Sequence, residues 1–307
     1  MSAIRGIVRG VLKEAREDAA HRQELEEAAT ALRFAWKLGV DKLYKFRSLE
    51  GESKGWTFDI IRNSRLYFAR PDQFNDPFDC APPFALAKDP ADPAFVKELE
   101  DDERRIAAES GLTAEQLDEL RGREGVPVER MAAVVRENTL RQLRDDTRVF
   151  CFSSEQCHPM LWSHYADSHR GVCLHFSCSY GTLIGLARQV TCKEDREPIL
   201  IPLQYQTDDQ LTDKMVLVKA AFWAYENEYR IIGHARADWG HSFDGSWRVA
   251  FPPELLCGIT LGTRISADNR AEILALAAAR TTPIPVWQAM EDDGRFWMRV
   301  ELWPEVE

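Results

Sequence analysis

Nowhere in the 307 residues do ~18 consecutive apolar side chains occur, the minimum for a membrane-spanning helix. The first residues also lack an apolar block with a small-residue cleavage pattern, so a cytoplasmic protein with no membrane partner is expected. The seven cysteines (Cys80, Cys151, Cys157, Cys173, Cys178, Cys192, Cys257) include no C-x-x-C pair, and reduced thiols are the simplest expectation. The glycine-rich P-loop, G-x-G-x-x-G, H-E-x-x-H, G-x-S-x-G and the zinc-deaminase pattern are absent, which removes the sequence grounds for those chemistries. Positive charge is short: 39 Lys and Arg face 50 Asp and Glu, a net −11 that opposes attraction to extended polyanions. There is no internal repeat or low-complexity tract.

A hydrophobic content of 45% suffices for a substantial core. Ile4, Ile7, Val8, Val11, Leu12 and Ala15 recur at helical spacing opposite Arg5, Arg9, Lys13 and Arg16, predicting an N-terminal helical arm over 1–40 that packs on the body or mediates homo-oligomerisation. Residues 41–307 read as a single α+β domain. Lys42 to Arg47 reads as a strand, Trp56 to Asn63 as a short helix and Arg65 to Ala69 as a second strand, with a turn over Asn75 to Asp79. A charged helical insertion follows over about 88–146, with a capping pattern at Thr113 to Gln116 and a break at Gly122 to Pro127.

Strands are expected at Arg148 to Ser153, Val172 to Phe176, Ile199 to Gln206, Glu228 to His234, Gly258 to Leu261, Pro285 to Gln288 and Phe296 to Leu302. Between them, helices are expected from Pro159 to Gly171, Thr212 to Ala224 and Ser266 to Arg280. Strand runs broken by single helices indicate an α+β fold with a mixed, mainly antiparallel sheet core.

The chemistry-bearing segment is Trp223-Ala224-Tyr225-Glu226-Asn227-Glu228-Tyr229-Arg230. If the run from Tyr225 is a strand, Glu226, Glu228 and Arg230 share one face, with the carboxylates roughly 6.6 Å apart along the backbone. Such a row suits a ligand site or a solvated strand face. On the helix following Pro159, Trp162 or Tyr165 can stack on a planar heterocycle while Ser163 or His164 donates hydrogen bonds; packing against a sheet is the competing role. In the first strand, Lys45 and Arg47 lie opposite Tyr44 and Phe46 and form either a phosphate grip or an exposed charge pair. The cysteines and histidines between Cys151 and Cys178 match no familiar ligand spacing, and no metal site is expected from them.

Taken together, Leu43-Tyr44-Lys45-Phe46-Arg47-Ser48, Leu66-Tyr67-Phe68, Phe74-Asn75-Asp76-Pro77-Phe78-Asp79, Phe150-Cys151-Phe152-Ser153, Met160 to Ala166, Gly171-Val172-Cys173-Leu174 and Lys219 with Phe222 to Arg230 resemble the largely bacterial family known as domain of unknown function 2971. That family name assigns no activity. The order of motifs is also similar to ADP-ribosyltransferase-like folds, although Lys45 stands where many relatives that modify nucleic acids carry histidine. This second resemblance implies that NAD is cleaved at its nicotinamide–ribose bond and ADP-ribose passes to an unknown macromolecular acceptor, nucleic acid or protein. Glu228 would stabilise the oxocarbenium ion, Glu226 would orient the acceptor or act as its base, and Tyr165 would stack on nicotinamide. Lys45 or Arg47 would bind pyrophosphate, with Trp162, Ser163, His164 and Arg230 completing the nucleotide site. The alternatives are a non-catalytic nucleotide-binding or sensor module of a bacterial defence or stress system, and a metal-dependent hydrolase using Asp76, Asp79, Glu226 and Glu228 around magnesium.

Overall fold

Alternation in Leu43-Tyr44-Lys45-Phe46 seeds the central sheet, because strand side chains point to opposite faces in turn and both faces here carry apolar residues to bury. The computed structural model describes residues 32–303, apart from 110, 112, 114, 117–127 and 237–238. The chain forms an eight-stranded sheet in the order Met298–Leu302, Val286–Glu291, Leu256–Leu261, Val172–Ser177, Lys42–Arg47, Thr147–Ser153, Glu228–His234, Arg188–Gln189. Lys42–Arg47 is antiparallel to both its neighbours, and the Leu256–Leu261 with Val286–Glu291 pair is parallel. The protein is therefore α+β with a mainly antiparallel sheet core. Among the described residues no helix is long and apolar enough to cross a membrane.

The chain divides into two compact units. The larger is built on the described residues of Arg5–Ala69, Arg148–Val190 and Phe222–Glu307, and its core, which includes Leu43, Phe68, Leu174, Phe176, Tyr229 and Ile231, covers one face of the sheet. A smaller cluster of Phe46, Leu161, Trp162 and Cys173 packs on the other face. The second unit is built on Arg70–Thr147 and Thr191–Ala221. In it the helices Pro93–Glu109 and Val128–Asp146 pack through Leu99, Met131 and Val135. Their core is joined by Ile201 of a short parallel ladder between Phe84–Leu86 and Ile199–Ile201. The helical segment expected over 88–146 thus carries two further stretches with it, because that ladder is a non-local pairing without a local sequence mark.

Several boundaries differ from expectation for physical reasons. The expected arm lies outside the described residues up to residue 31; at 32–39 the chain turns rather than continuing a helix, with Arg33 at φ 58° and Phe34 bridged to Arg188. Thr113 and Gln116 exchange the two hydrogen bonds of a capping box, whereas the break at 122–127 lies outside the described residues. The helical spacing read from Thr212 to Ala224 covers three elements, a helix Asp208–Val216, a strand Val218–Ala220 and a 3-10 turn Ala221–Glu226. Pairing of that strand with Thr191–Lys193 overrides helical continuation. Ile199 to Gln206 is a strand only to Ile201, since Pro202 opens a 3-10 turn.

Candidate functional site

The short helix Pro159–Tyr165 is set by its ends. Proline occupies its first position, and the His158 ring accepts a hydrogen bond from the Met160 amide. It stops six residues before the expected Gly171. Asp167, Ser168 and His169 all take positive φ, and Gly171 is needed where a Cβ would stand 2.1 Å from the Arg47 carbonyl oxygen. Trp162 is fully buried, donates from Nε1 to the Gln156 carbonyl at 2.9 Å and meets Phe46 edge-on at 5.1 Å. It anchors the helix, so the expected stacking surface for a ligand falls to its neighbours.

Those neighbours form a surface aromatic group. Exposed His164 shares a 3.0 Å hydrogen bond with the Tyr225 hydroxyl, and His158 stacks on Tyr225 with centroids 5.0 Å apart. Trp223 lies 6.0 Å from Tyr225 and 6.2 Å from His164, and Trp297 meets His158 edge-on at 4.8 Å. Ser163 is exposed beside them. Below, the Tyr165 hydroxyl donates to Glu226 Oε1 at 2.6 Å. Burial, with the charge and hydrogen bond of Glu226, pushes that phenol far above its usual range, so Tyr165 stays a neutral donor.

Glu226 does not lie on the strand with Glu228. It ends the 3-10 turn, and Asn227 at φ 42° reverses the chain before the strand starts at Glu228. Asparagine tolerates that left-handed conformation at small cost. Because Tyr229 and Ile231 enter the large core, Glu228 and Arg230 point to the opposite face, the side of Trp162 and Tyr165. There they form a buried two-point ion pair, Arg230 Nε to Glu228 Oε1 at 2.7 Å and a terminal nitrogen to Oε2 at 3.0 Å. A carboxylate held by its own strand's guanidinium is a poor electrostatic catalyst, since its field is already neutralised. Burial and the Glu228 charge raise the neighbouring Cys151 thiol well above its ordinary value, which rules out a resting thiolate.

Lys45 and Arg47 take the large-core face of the first strand. Register pairs Lys45 with Leu174 and Arg47 with Val172, both in the large core, while Phe46 pairs with Cys173 on the helix side. Arg47 donates to Thr57 Oγ1 at 3.4 Å, its guanidinium lies 5.9 Å from the Trp56 ring, and burial lowers its pKa to about 10. Lys45 sits 4.9 Å from the Phe150 ring; burial lowers its pKa, with Glu228 and Glu226 only partly opposing. The expected convergence of Arg47, Tyr165 and Glu228 on one cleft is therefore not what the fold builds. Among the described residues no group of three or more His, Cys, Asp or Glu is placed to hold a metal ion, and Asp76 and Asp79 belong to the other unit. None of the seven cysteines is in a disulfide.

Sequence reasoning missed the ring partners His158 and Trp297 and the polar ladder beside them. On the same sheet face, His175 Nε2 contacts Thr260 Oγ1 at 2.8 Å and Gln156 Nε2 at 3.2 Å, and its ring stacks on Trp287 at 4.8 Å. Burial, reinforced by Lys42, pushes the imidazole down from 6.5 to about 3. The unfolded chain takes up this proton near pH 6.5 and the folded chain only near 3, so the imidazole costs stability progressively as pH falls through that window. Urea midpoints of the natural chain should fall more steeply between neutral and mildly acid pH than those of His175→Gln. Parallel profiles would remove the assignment.

Comparison with known proteins finds no match: no family model, no curated protein and no solved structure is significantly similar to the chain.

Proposed function

We propose that the larger unit is a nucleotide-binding module. It holds a planar base or nicotinamide ring against Trp223 and Tyr225, with Ser163 and His164 as exposed polar partners and the Tyr165–Glu226 pair as the floor. The observation that carries this reading is the aromatic group lying beside a buried carboxylate that accepts a hydrogen bond from a neutral phenol. Turnover is not part of it, because Glu228 is already neutralised by Arg230.

A second reading, ADP-ribosyl transfer, rests on that same ring-to-carboxylate contact, with Glu226 in the role that the resemblance gave to Glu228. The nicotinamide–ribose C–N bond would break with its electron pair leaving on nicotinamide. Glu226 would stabilise the oxocarbenium charge, and an acceptor oxygen or nitrogen would attack the ribose carbon and lose its proton. The fold adds only its mainly antiparallel sheet to the ADP-ribosyltransferase-like likeness.

Calorimetric titration with NAD, ADP-ribose and AMP, followed by chromatography of the same samples, separates the readings. Binding without released nicotinamide, weakened about tenfold or more by Trp223→Ala, is expected for a stacking site. Nicotinamide release abolished by Glu226→Gln decides for transfer. Failure of all three nucleotides to bind sinks both.

A further inference from the structure

The second unit contains a separate cavity of 220 Å³ that the nucleotide reading does not use. Its apolar side is made by Phe78, Pro82, Pro83 and Val218. Phe78 is more than half exposed, although the Asp76 side chain fixes its backbone by accepting from the Phe78 amide at 2.9 Å. The ring therefore stands at the cavity with part of its surface open to a ligand.

The charged side is arranged by depth. Glu194, Asp195 and Glu197 are exposed, whereas Lys214 is half-buried and Lys219 is buried on the strand Val218–Ala220. Glu197 is engaged by Lys193 through an ion pair. The Lys214 ammonium donates to the Pro198 carbonyl at 3.0 Å and to Gln206 Oε1 at 3.4 Å, both neutral acceptors. Arg196 lies with its guanidinium 5.4 Å from the Phe78 ring. Neither Arg196 nor Lys214 forms an ion pair among the described residues. Arg196 is exposed with the acids, while Lys214 and Lys219 are the withdrawn cations of the lining, and a cation in a partly dehydrated wall attracts an anion more strongly than one in water.

From this arrangement we infer that the cavity binds a small organic oxyanion, a carboxylate or phosphate monoester on a one-ring apolar body. Arg196 and Lys214 hold the oxygens, and Phe78 with Pro82 and Pro83 covers the ring. The volume lies below the ~300 Å³ at which sites for drug-sized molecules begin, which excludes a whole nucleotide. A guanidinium binds two oxygens at once, and lysine adds a point charge, so the oxyanion gains contacts that a neutral isostere lacks.

Titration of the full chain with benzoate, phenyl phosphate, benzamide and inorganic phosphate tests the assignment. At least one ring-bearing anion should bind, the stronger of the two naming the head group, with benzamide and inorganic phosphate each weaker by about tenfold or more. Arg196→Ala and Lys214→Met should each weaken the anion by about tenfold, whereas Arg299→Ala on the other unit should not. Arg196 is exposed, so its variant keeps the fold. The inference is overturned if neither ring-bearing anion saturates, if benzamide or inorganic phosphate binds as well, or if both cavity variants bind unchanged. None of these outcomes depends on whether NAD, ADP-ribose or AMP binds the larger unit.

Discussion

Arg230→Met is expected to lower the unfolding free energy by about 3–5 kcal/mol, because it leaves Glu228 in a buried position without the guanidinium that neutralises it. Arg230 is 0% exposed and Glu228 8%, and their two-point contact is made within one strand, at positions two apart, so backbone alternation alone brings the charges together. The penalty comes from keeping a carboxylate buried after its two guanidinium contacts are removed. Replacing both members removes it: Glu228→Leu combined with Arg230→Met should recover much of the loss, since apolar pairs of similar volume often match or exceed a buried ion pair. Urea denaturation of the natural chain, both single variants and the double variant closes this cycle. If the double variant is as unstable as the sum of the singles, the two residues are not coupled and the pair has no structural role. Arg230→Lys tests geometry separately, because an ammonium keeps the charge but cannot make two parallel contacts.

What the sequence made legible was whatever is periodic and local. Lys42–Arg47 and Glu228–His234 have the limits read from alternation, and the capping exchange at Thr113 and Gln116 is present. The opposed faces of Lys45 and Phe46 were also readable from alternation. Placing Lys45 and Arg47 in one cleft with Tyr165 required instead that separate elements meet on one side of the sheet, and no local pattern carries that information. Glu226 shows the same limit on a smaller scale. A strand begun at Tyr225 would align it with Glu228, yet Asn227 takes a positive φ and the chain turns between them. The asparagine between two glutamates was the available signal, since it tolerates the left-handed region better than most residues. Trp297 reaches His158 from more than a hundred residues away, and sequence spacing says nothing about such a contact.

Trp162→Ala should be comparably damaging, about 3–5 kcal/mol, the cost of emptying a fully buried large aromatic site. Its effect should also reach the ligand group. Pro159–Tyr165 is only seven residues long, too short to hold itself as a helix by propensity, so packing of Leu161 and Trp162 against Phe46 and Cys173 fixes its position. Tyr165 reaches Glu226, and His164 reaches Tyr225, from that same helix. Loosening it should therefore reduce stability and nucleotide binding together, while Trp223→Ala, at a half-exposed ring, should reduce binding with little change in stability. Trp162→Phe divides the contribution further: it keeps most of the apolar volume but leaves the Gln156 carbonyl without its indole donor, a loss of about 1–3 kcal/mol. Denaturation midpoints and nucleotide titrations on the three variants give the comparison. A Trp162→Ala protein that is strongly destabilised yet binds nucleotide as tightly as the natural chain would show that Tyr165 and His164 are not part of the binding surface.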